Sequence, residues 1–281
     1  MYLEFHEKIF KVHVKCMQHL VAVLPFQDLN RIDIAEKLGN NRPIIDADSL
    51  IISEKDLEKV FDQIFPLIKK YSNQHTDQMH RFEELYDRRR IELLELVRAL
   101  LGEHSELFTE ISSKHDISPL LLERVAELVI SPYFELCAEL FGKQLRLQNW
   151  NREICPICGF HPSMAIVNEQ HQTRQLWCHF CDTTWSFREM VCPFCLSDDP
   201  KTTTLIFPPN NKPYRIDACT KCNNYIKTVD ELLIQDKQNL SVRNVATYYL
   251  DLLALKFGFN VQNCFKFYVE TIFKKGKSNE E

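Results

Sequence analysis

The chain has 281 residues, of which 45% are hydrophobic and 26% are charged. These values are typical of a globular protein and leave room for two or three domains. The formal net charge of −5 argues against a dedicated nucleic-acid binder, which is usually basic. No apolar run reaches the roughly 18 residues that a membrane span requires. Because the first residues also lack the order of a secretory signal, we expect a soluble, cytoplasmic protein without membrane insertion.

The first part of the chain predicts a series of amphipathic helices, because apolar residues recur there at helical spacing and glycine is rare. A first helix is expected from about Leu3 to Leu24 and a short one over Leu29–Leu38. A third helix begins after the N-cap residue Ser53 and is kinked or divided at Pro66. These patterns indicate an all-helical domain over residues 1–150.

The same domain continues with a long helix that the apolar stripe predicts over Thr76–Leu101. Two Ser-Pro pairs follow, Ser118-Pro119 and Ser131-Pro132. Each is typical of a helix start, because proline is tolerated at the first helical position. We expect two helices here, through about Leu145, that are either separate or nearly collinear with a kink. Cys16 and Cys137 lie among apolar residues of these helices and are expected to be buried as small hydrophobic side chains.

The most informative feature of the sequence is a set of four Cys-x-x-Cys pairs, which contain eight of the eleven cysteines. Two intervening residues allow both thiolates of a pair to reach one metal ion from a single turn, and a tetrahedral ion requires two such pairs. We therefore expect two metal ions, each bound by four cysteines. The candidate ligands are Cys155, Cys158, Cys178, Cys181, Cys192, Cys195, Cys219 and Cys222. Four thiolates in a tetrahedron suit zinc or a single rubredoxin-type iron, and the spacing does not choose between them.

The intervals between the pairs predict which of them share an ion. The chain between Cys158 and Cys178 is long enough for a β-hairpin, whereas the shorter stretch between Cys181 and Cys192 suits a linker. This favours two successive rubredoxin-like or zinc-ribbon modules, over residues 151–190 and 191–235. A cross-braced arrangement, which joins the first pair to the third and the second to the fourth, is the alternative.

The residue that follows each pair bears on the shape of its turn. Gly159 suits the left-handed backbone conformation often required there, and Asp182 and Asn223 tolerate it moderately well. Leu196 does not, so we expect the third turn to be less regular.

Two other interpretations of the cysteines fit less well. A disulfide framework requires an oxidising compartment, for which no signal is present. A thioredoxin-like redox pair belongs beside a βαβ pattern, which the sequence lacks.

No phosphate-binding loop, nucleophile elbow or acid/base pair with a recognisable context is visible. A protein that is not an enzyme is therefore expected.

The last element is an amphipathic helix expected over Ser241–Phe257 and ended by Gly258, within a C-terminal helix and tail spanning residues 236–281. With the preceding elements it completes an α+β multidomain fold. An all-helical N-terminal domain is followed in this prediction by two tandem metal ribbons and a C-terminal helix.

The residues around the cysteine pairs resemble the signature of the formate dehydrogenase accessory protein FdhE family. The similar segments are CPICGFHP (Cys155–Pro162), LWCHFCDTTWSFREMVCPFC (Leu176–Cys195) and YRIDACTKCNNYIKT (Tyr214–Thr228). The resemblance extends beyond the cysteines to Trp185, Arg188, Arg215, Tyr225 and Lys227. It departs from the family pattern at Asp217, where the family commonly has glutamate, and in the LSDDP sequence after the third pair.

This resemblance implies a cytoplasmic assembly factor for respiratory formate dehydrogenase. Such a protein binds the catalytic subunit of the enzyme during maturation, and its paired cysteine sites are associated with iron. Rubredoxin-type iron would add the possibility of a redox role. The alternatives are a zinc-ribbon nucleic-acid-binding or transcription-associated protein, which the acidic charge disfavours, and a rubredoxin-like electron carrier, which would not require the long helical region.

Overall fold

The protein was analysed as a computed structural model, which describes residues 2–24, 32–71, 75–104, 106–145, 150–167, 174–209, 211–234 and 239–260. The backbone divides into two compact units. Described residues of the first unit lie within Met1–Ile32 and Ile45–Leu136, and those of the second within Asp33–Ile44 and Cys137–Phe265. The domain boundaries expected from the sequence remain predictions. The described helices contain no segment that is both long and apolar enough to cross a membrane.

Helices dominate the N-terminal region, as predicted. In chain order the described α-helices are α1 (Tyr2–Val23), α2 (Ile34–Gly39), α3 (Glu54–Tyr71), α4 (Thr76–Asp87), α5 (Leu93–Leu100), α6 (Leu107–His115), α7 (Pro119–Leu145), α8 (Leu240–Ala246) and α9 (Tyr248–Lys256). Short 3₁₀ turns occur at Ala47–Ser49, Pro200–Thr202 and Glu231–Leu233.

The core of the first unit is built by amphipathic helices with one apolar face. On α3 the buried residues recur at helical spacing, which gives the helix a single face toward the core. The rings of Phe61 and Phe65 on this face stack with their centroids 4.6 Å apart, and the ring centroid of Phe61 lies 5.9 Å from that of Phe82 of α4. Pro66 is accommodated inside α3, which is not divided. Cys16 and Cys137 are both buried, as predicted.

The prediction of a single helix over Thr76–Leu101 is wrong, because α4 ends at Asp87 and α5 begins at Leu93. Arg89 takes the left-handed conformation (φ 54°), which ends α4. The start of α5 is capped by a distant side chain, since the Glu54 carboxylate accepts hydrogen bonds from the backbone N–H groups of Leu93 (2.8 Å) and Leu94 (2.6 Å). The apolar stripe therefore continues across two helices.

The two Ser-Pro pairs belong to one helix, α7, which contains Pro132. Most described residues of this helix are buried, consistent with its apolar sequence around the whole circumference. Ser131 donates a hydrogen bond from its hydroxyl to the carbonyl oxygen of Glu127 (2.8 Å), in the turn that Pro132 interrupts. The collinear alternative is thus the observed one.

The second unit contains a six-stranded sheet in the order β3-β2-β1-β6-β5-β4. Its strands are β1 (Met164–Val167), β2 (Arg174–Trp177), β3 (Thr184–Phe187), β4 (Thr203–Ile206), β5 (Tyr214–Cys219) and β6 (Tyr225–Asp230). Strands β1 to β3 form one antiparallel ribbon and β4 to β6 form another. The helical region followed by a sheet region with two cysteine clusters confirms the predicted fold class.

One pairing joins the two ribbons into a continuous sheet. Strands β1 and β6 pair in parallel, with Met164 opposite Lys227 and Val167 opposite Asp230. Trp177, Met164, Ile166 and Val229 form a buried cluster around this joint. The sequence analysis predicted the ribbons but not the pairing between them.

The C-terminal helix predicted over Ser241–Phe257 consists of two helices, α8 and α9, separated at Thr247. Thr247 donates a hydrogen bond from its hydroxyl to the carbonyl oxygen of Arg243 (2.7 Å). Gly258, in the left-handed conformation (φ 85°), follows the end of α9, as expected. Leu250 and Ala254 of α9 pack against Ile216 of β5, which covers one face of the second ribbon.

Candidate metal centres

The first cysteine cluster gathers the first two Cys-x-x-Cys pairs. The Sγ atoms of Cys155 and Cys181 are 3.4 Å apart, those of Cys158 and Cys178 are 3.5 Å apart, and those of Cys158 and Cys181 are 3.7 Å apart. All four cysteines are buried. This cluster lies within the ribbon formed by β1, β2 and β3.

The second cluster gathers the third and fourth pairs. Its Sγ atoms are 3.7 Å apart between Cys192 and Cys222, and also between Cys195 and Cys219. Cys195 and Cys222 are half-buried, so this cluster is more accessible to solvent than the first. The grouping in both clusters is the one that the spacing favours, and it differs from the cross-braced alternative.

The sulfur separations allow a test of whether a metal ion fits. Four sulfurs at the usual zinc–sulfur distance of about 2.3 Å lie about 3.8 Å from one another in a tetrahedron. The closest observed separations are 3.4 to 3.7 Å, and in each cluster all four sulfurs lie within 4.8 Å of one another. All eight are free thiols, since a disulfide would require about 2.05 Å. Each cluster can therefore hold one tetrahedral ion.

All four cysteine turns share one backbone geometry. The N–H group of the first cysteine donates to the carbonyl oxygen five residues further on, at 2.8 to 3.0 Å: Cys155 to Phe160, Cys178 to Thr183, Cys192 to Ser197 and Cys219 to Asn224. The residue after each pair is left-handed, with φ of 75° at Gly159, 58° at Asp182 and Leu196, and 60° at Asn223. The irregular third turn expected from Leu196 is wrong, because closing the turn around the sulfurs imposes the same conformation on leucine.

The environment of the thiols differs between positions. Burial raises the pKa of Cys158 well above its ordinary value and also raises that of Cys192. Burial acts in the same direction on Cys219, but hydrogen bonds from the backbone N–H groups of Cys222 and Lys221, together with those from the Cys195 and Cys222 thiols, outweigh it and lower the pKa to about 7. A metal ion that binds either cluster must displace the remaining thiol protons, which couples metal binding to pH.

Aromatic residues surround the first cluster. The rings of Phe160 and Phe180, one beside each cysteine pair, stack with centroids 4.1 Å apart. Trp177 donates from its indole N–H to Asp182 (2.6 Å), and Trp185 donates to the carbonyl oxygen of Arg152 (2.8 Å). These contacts support the cysteine turns of the first cluster from outside the set of sulfur atoms.

Two residues that carry the family resemblance, Tyr225 and Lys227, attach α9 to the sheet. The Lys227 ammonium group lies 2.8 Å from the Asp251 carboxylate, and the Tyr225 hydroxyl donates to the same carboxylate at 2.6 Å. Both side chains of the ion pair are almost fully buried. The role of these two residues is therefore structural.

Asp217, the position that departs from the family pattern, is the centre of a second polar network. Its carboxylate accepts hydrogen bonds from Arg215 (2.7 Å), from Arg174 of β2 (3.3 Å) and from the Thr228 hydroxyl (2.8 Å). Arg174 also donates to the carbonyl oxygen of Val191 (3.1 Å), just before Cys192. Sequence reasoning missed Arg174, since a single arginine in a short strand gives no sign that it is buried.

Comparison with known proteins agrees with this architecture. A family model described as "FdhE, central domain" matches residues 154–188, which include the first cluster. An FdhE homolog from Aquifex aeolicus is 25% identical, over 82% of this chain and 76% of that protein. One from Stutzerimonas stutzeri is 31% identical over 40% of this chain, which corresponds to 37% of that relative's length. The crystal structure of the FdhE protein from Pseudomonas aeruginosa aligns with a TM-score of 0.58 and 15% identity, over 94% of each chain.

The fold and the two clusters define a class of proteins in which a helical region precedes a sheet with two four-cysteine sites. The chain is similar to FdhE proteins over most of its length.

Proposed function

We propose that this protein is an accessory factor for respiratory formate dehydrogenase and binds the catalytic subunit of that enzyme during its maturation. The single observation that carries the proposal is the pair of four-cysteine clusters on one continuous sheet, in a chain similar to FdhE proteins over most of its length. In this proposal the protein does not oxidise formate itself. Its cytoplasmic location is a prediction from the sequence.

The proposed metal ligands are the eight cysteines of the two clusters. In a closed site of four thiolates, zinc supplies cross-links to a small ribbon, and a single iron would in addition carry one electron. The ribbons have short strands, so an ion at each cluster would stabilise the fold strongly. A rigid sheet surface for a client protein follows from that stabilisation.

The opposing candidate is a zinc-ribbon protein that binds nucleic acid. The net charge of −5 disfavours it, because phosphate contacts require a surplus of basic side chains. The two candidates predict different partners, and one affinity experiment separates them.

The affinity-tagged chain would be isolated from anaerobically grown cells of its own host, with and without nuclease treatment. We expect the catalytic subunit of formate dehydrogenase to be recovered in both samples. A variant with Cys155, Cys158, Cys192 and Cys195 replaced by serine is the control that tests whether the metal sites are required. Recovery of nuclease-sensitive material without that subunit would contradict the proposal.

A further inference from the structure

A cavity of about 180 Å³ lies beside the second cysteine cluster. Four residues of β5 line it, namely Arg215, Asp217, Ala218 and Cys219, of which Arg215, Asp217 and Cys219 share one face of the strand. Ile216, which lies between them in sequence, packs with α9, so the cavity lies on the face of this strand that α9 does not cover. The segment that precedes Cys192 forms the opposite wall.

The walls of the cavity are mainly apolar. Val167, Val191, Pro193, Phe194 and Leu205 all contribute to the lining. A closed apolar cavity of about 150 Å³ is known to accommodate a benzene-sized group. The space is therefore sufficient for one large apolar side chain.

Two guanidinium groups line the same cavity, and each has N–H donors for which the described residues offer no acceptor. Arg215 donates from Nε to Asp217, and no hydrogen bond of its terminal nitrogens is found among the described residues. Arg174 is more than nine-tenths buried, and its Nε atom has no acceptor within the part of the chain that the structure describes. A buried donor without a partner costs free energy that an entering acceptor can recover.

Asp217 lies between two arginines at the base of the cavity, with Cys192 and Cys219 in the adjoining wall. Its carboxylate is shared by Arg174 and Arg215, so two cations face a single anion at the base of the cavity. The other acidic residue of the lining, Glu189, is exposed at the rim. An incoming carboxylate can therefore pair with Arg215, which is 22% exposed.

The surface around the opening is apolar as well. Met190 and Leu205 line the cavity and are 55% and 46% exposed, and Phe207, just beyond β4, is 59% exposed. Exposed apolar side chains grouped around an apolar cavity indicate a protein-binding surface more than a site for a small acid.

We propose that this cavity binds a polypeptide segment that presents a large apolar side chain beside a carboxylate, of which a C-terminal leucine is the simplest form. The apolar side chain fills the cavity, and the carboxylate pairs with Arg215. Cys192 and Cys219 contribute to the wall of this cavity. The proposed peptide contacts are nevertheless made by other residues and do not involve metal binding. The proposal does not depend on which protein supplies the segment, so its test is independent of the proposed formate dehydrogenase role.

The test uses the full chain as purified and isothermal titration with the peptide acetyl-Gly-Gly-Gly-Leu, in its free-carboxylate and C-terminal amide forms. We expect saturable binding of the free-carboxylate form and about tenfold weaker binding of the amide, because a charge-assisted hydrogen bond is lost. Arg215→Gln should bind both forms with the weaker affinity. Lys212→Gln, which removes one positive charge from an exposed position on the same hairpin, should bind as the wild type does.

A second variant, Leu205→Ala, shortens the apolar wall at an exposed position and should weaken binding of both peptide forms. Tryptophan fluorescence and metal content serve to confirm that each variant is folded. Absence of saturable peptide binding, or equal binding by the wild type and Arg215→Gln, would overturn the site. Equally tight binding of free 4-methylpentanoate would overturn the polypeptide partner, because a small acid would then suffice.

Discussion

The ammonium group of Lys227 and the carboxylate of Asp251 form an ion pair of 2.8 Å in which both side chains are almost fully buried. Lys227 lies on β6, the strand that joins the two ribbons, and Asp251 lies on α9. The pair therefore attaches α9 to the strand that joins the ribbons. Lys227 also donates to the carbonyl oxygen of Asn244 in α8 (2.8 Å), so one side chain holds both C-terminal helices.

Lys227→Met should lower the free energy of unfolding of the second unit by about 3 kcal/mol, because it leaves the Asp251 carboxylate buried without its partner. All three tryptophans, Trp150, Trp177 and Trp185, belong to this unit, so intrinsic fluorescence in denaturant reports its unfolding. Lys201→Met, at an exposed position, is the matched control. An equal effect of the two substitutions would show that the buried pair does not stabilise the unit.

Leu196→Gly should stabilise the second cluster region by about 1 kcal/mol. Leucine is strained in the left-handed conformation, whereas glycine adopts it freely, and Leu196 is 43% exposed, so little apolar burial is lost. The same fluorescence experiment measures the change. Leu233→Gly, at an exposed leucine without positive φ, should be neutral or destabilising, and a stabilisation of equal size there would argue against strain as the cause.

Glu54→Ala should loosen the start of α5, because the backbone N–H groups of Leu93 and Leu94 lose their acceptor. Loss of such a cap costs about 1 kcal/mol. Hydrogen exchange followed by mass spectrometry should show faster exchange in the peptide that begins α5 and unchanged exchange in β5. Glu103→Ala, at a half-exposed position whose carboxylate lies 3.9 Å from Arg98 and caps none of the described helices, is the comparison.

Removal of one cysteine pair should remove one metal ion. Cys155→Ser with Cys158→Ser should empty the first cluster and leave the second, and Cys192→Ser with Cys195→Ser should do the reverse. Elemental analysis of the purified chains by mass spectrometry measures the metal content per chain. Cys16→Ala, which lies outside both clusters, should retain both ions. A full metal content in either double variant would contradict the ligand assignment.

The features predictable from sequence were those set by short spacing. The turn conformation at Gly159, Asp182 and Asn223 follows from the residue types and from the closure of a Cys-x-x-Cys turn. The left-handed Leu196 shows that this closure outweighs the preference of an individual residue. The grouping of the cysteine pairs followed in the same way from the length of chain between them.

Features determined by distant contacts were not predictable. The break between α4 and α5 depends on Glu54, which is separated from Leu93 by most of two helices. The backbone N–H of Ile44 donates to the carbonyl oxygen of Pro156 (2.8 Å), and Pro43 lies against Gly159, so a segment from the helical part of the sequence supports the first cysteine turn. No periodicity encodes such a contact.

The parallel pairing of β1 with β6 was also beyond the sequence. Each ribbon has its own antiparallel hairpin pattern in the sequence. That pattern does not indicate which edge strand of one ribbon pairs with the other ribbon. Arg174 and Asp217, one from each ribbon, form an ion pair across this assembly, but their partnership becomes visible only when the sheet is formed.

The most direct test of the accessory role is formate-dependent respiration in the host after deletion of the gene for this chain. We predict that the activity is lost, that the wild-type chain restores it, and that the chain lacking Cys155, Cys158, Cys192 and Cys195 does not. The amount of formate dehydrogenase catalytic subunit would be followed by immunoblot in the same cells. Unchanged formate-dependent respiration in the deletion strain would contradict the account.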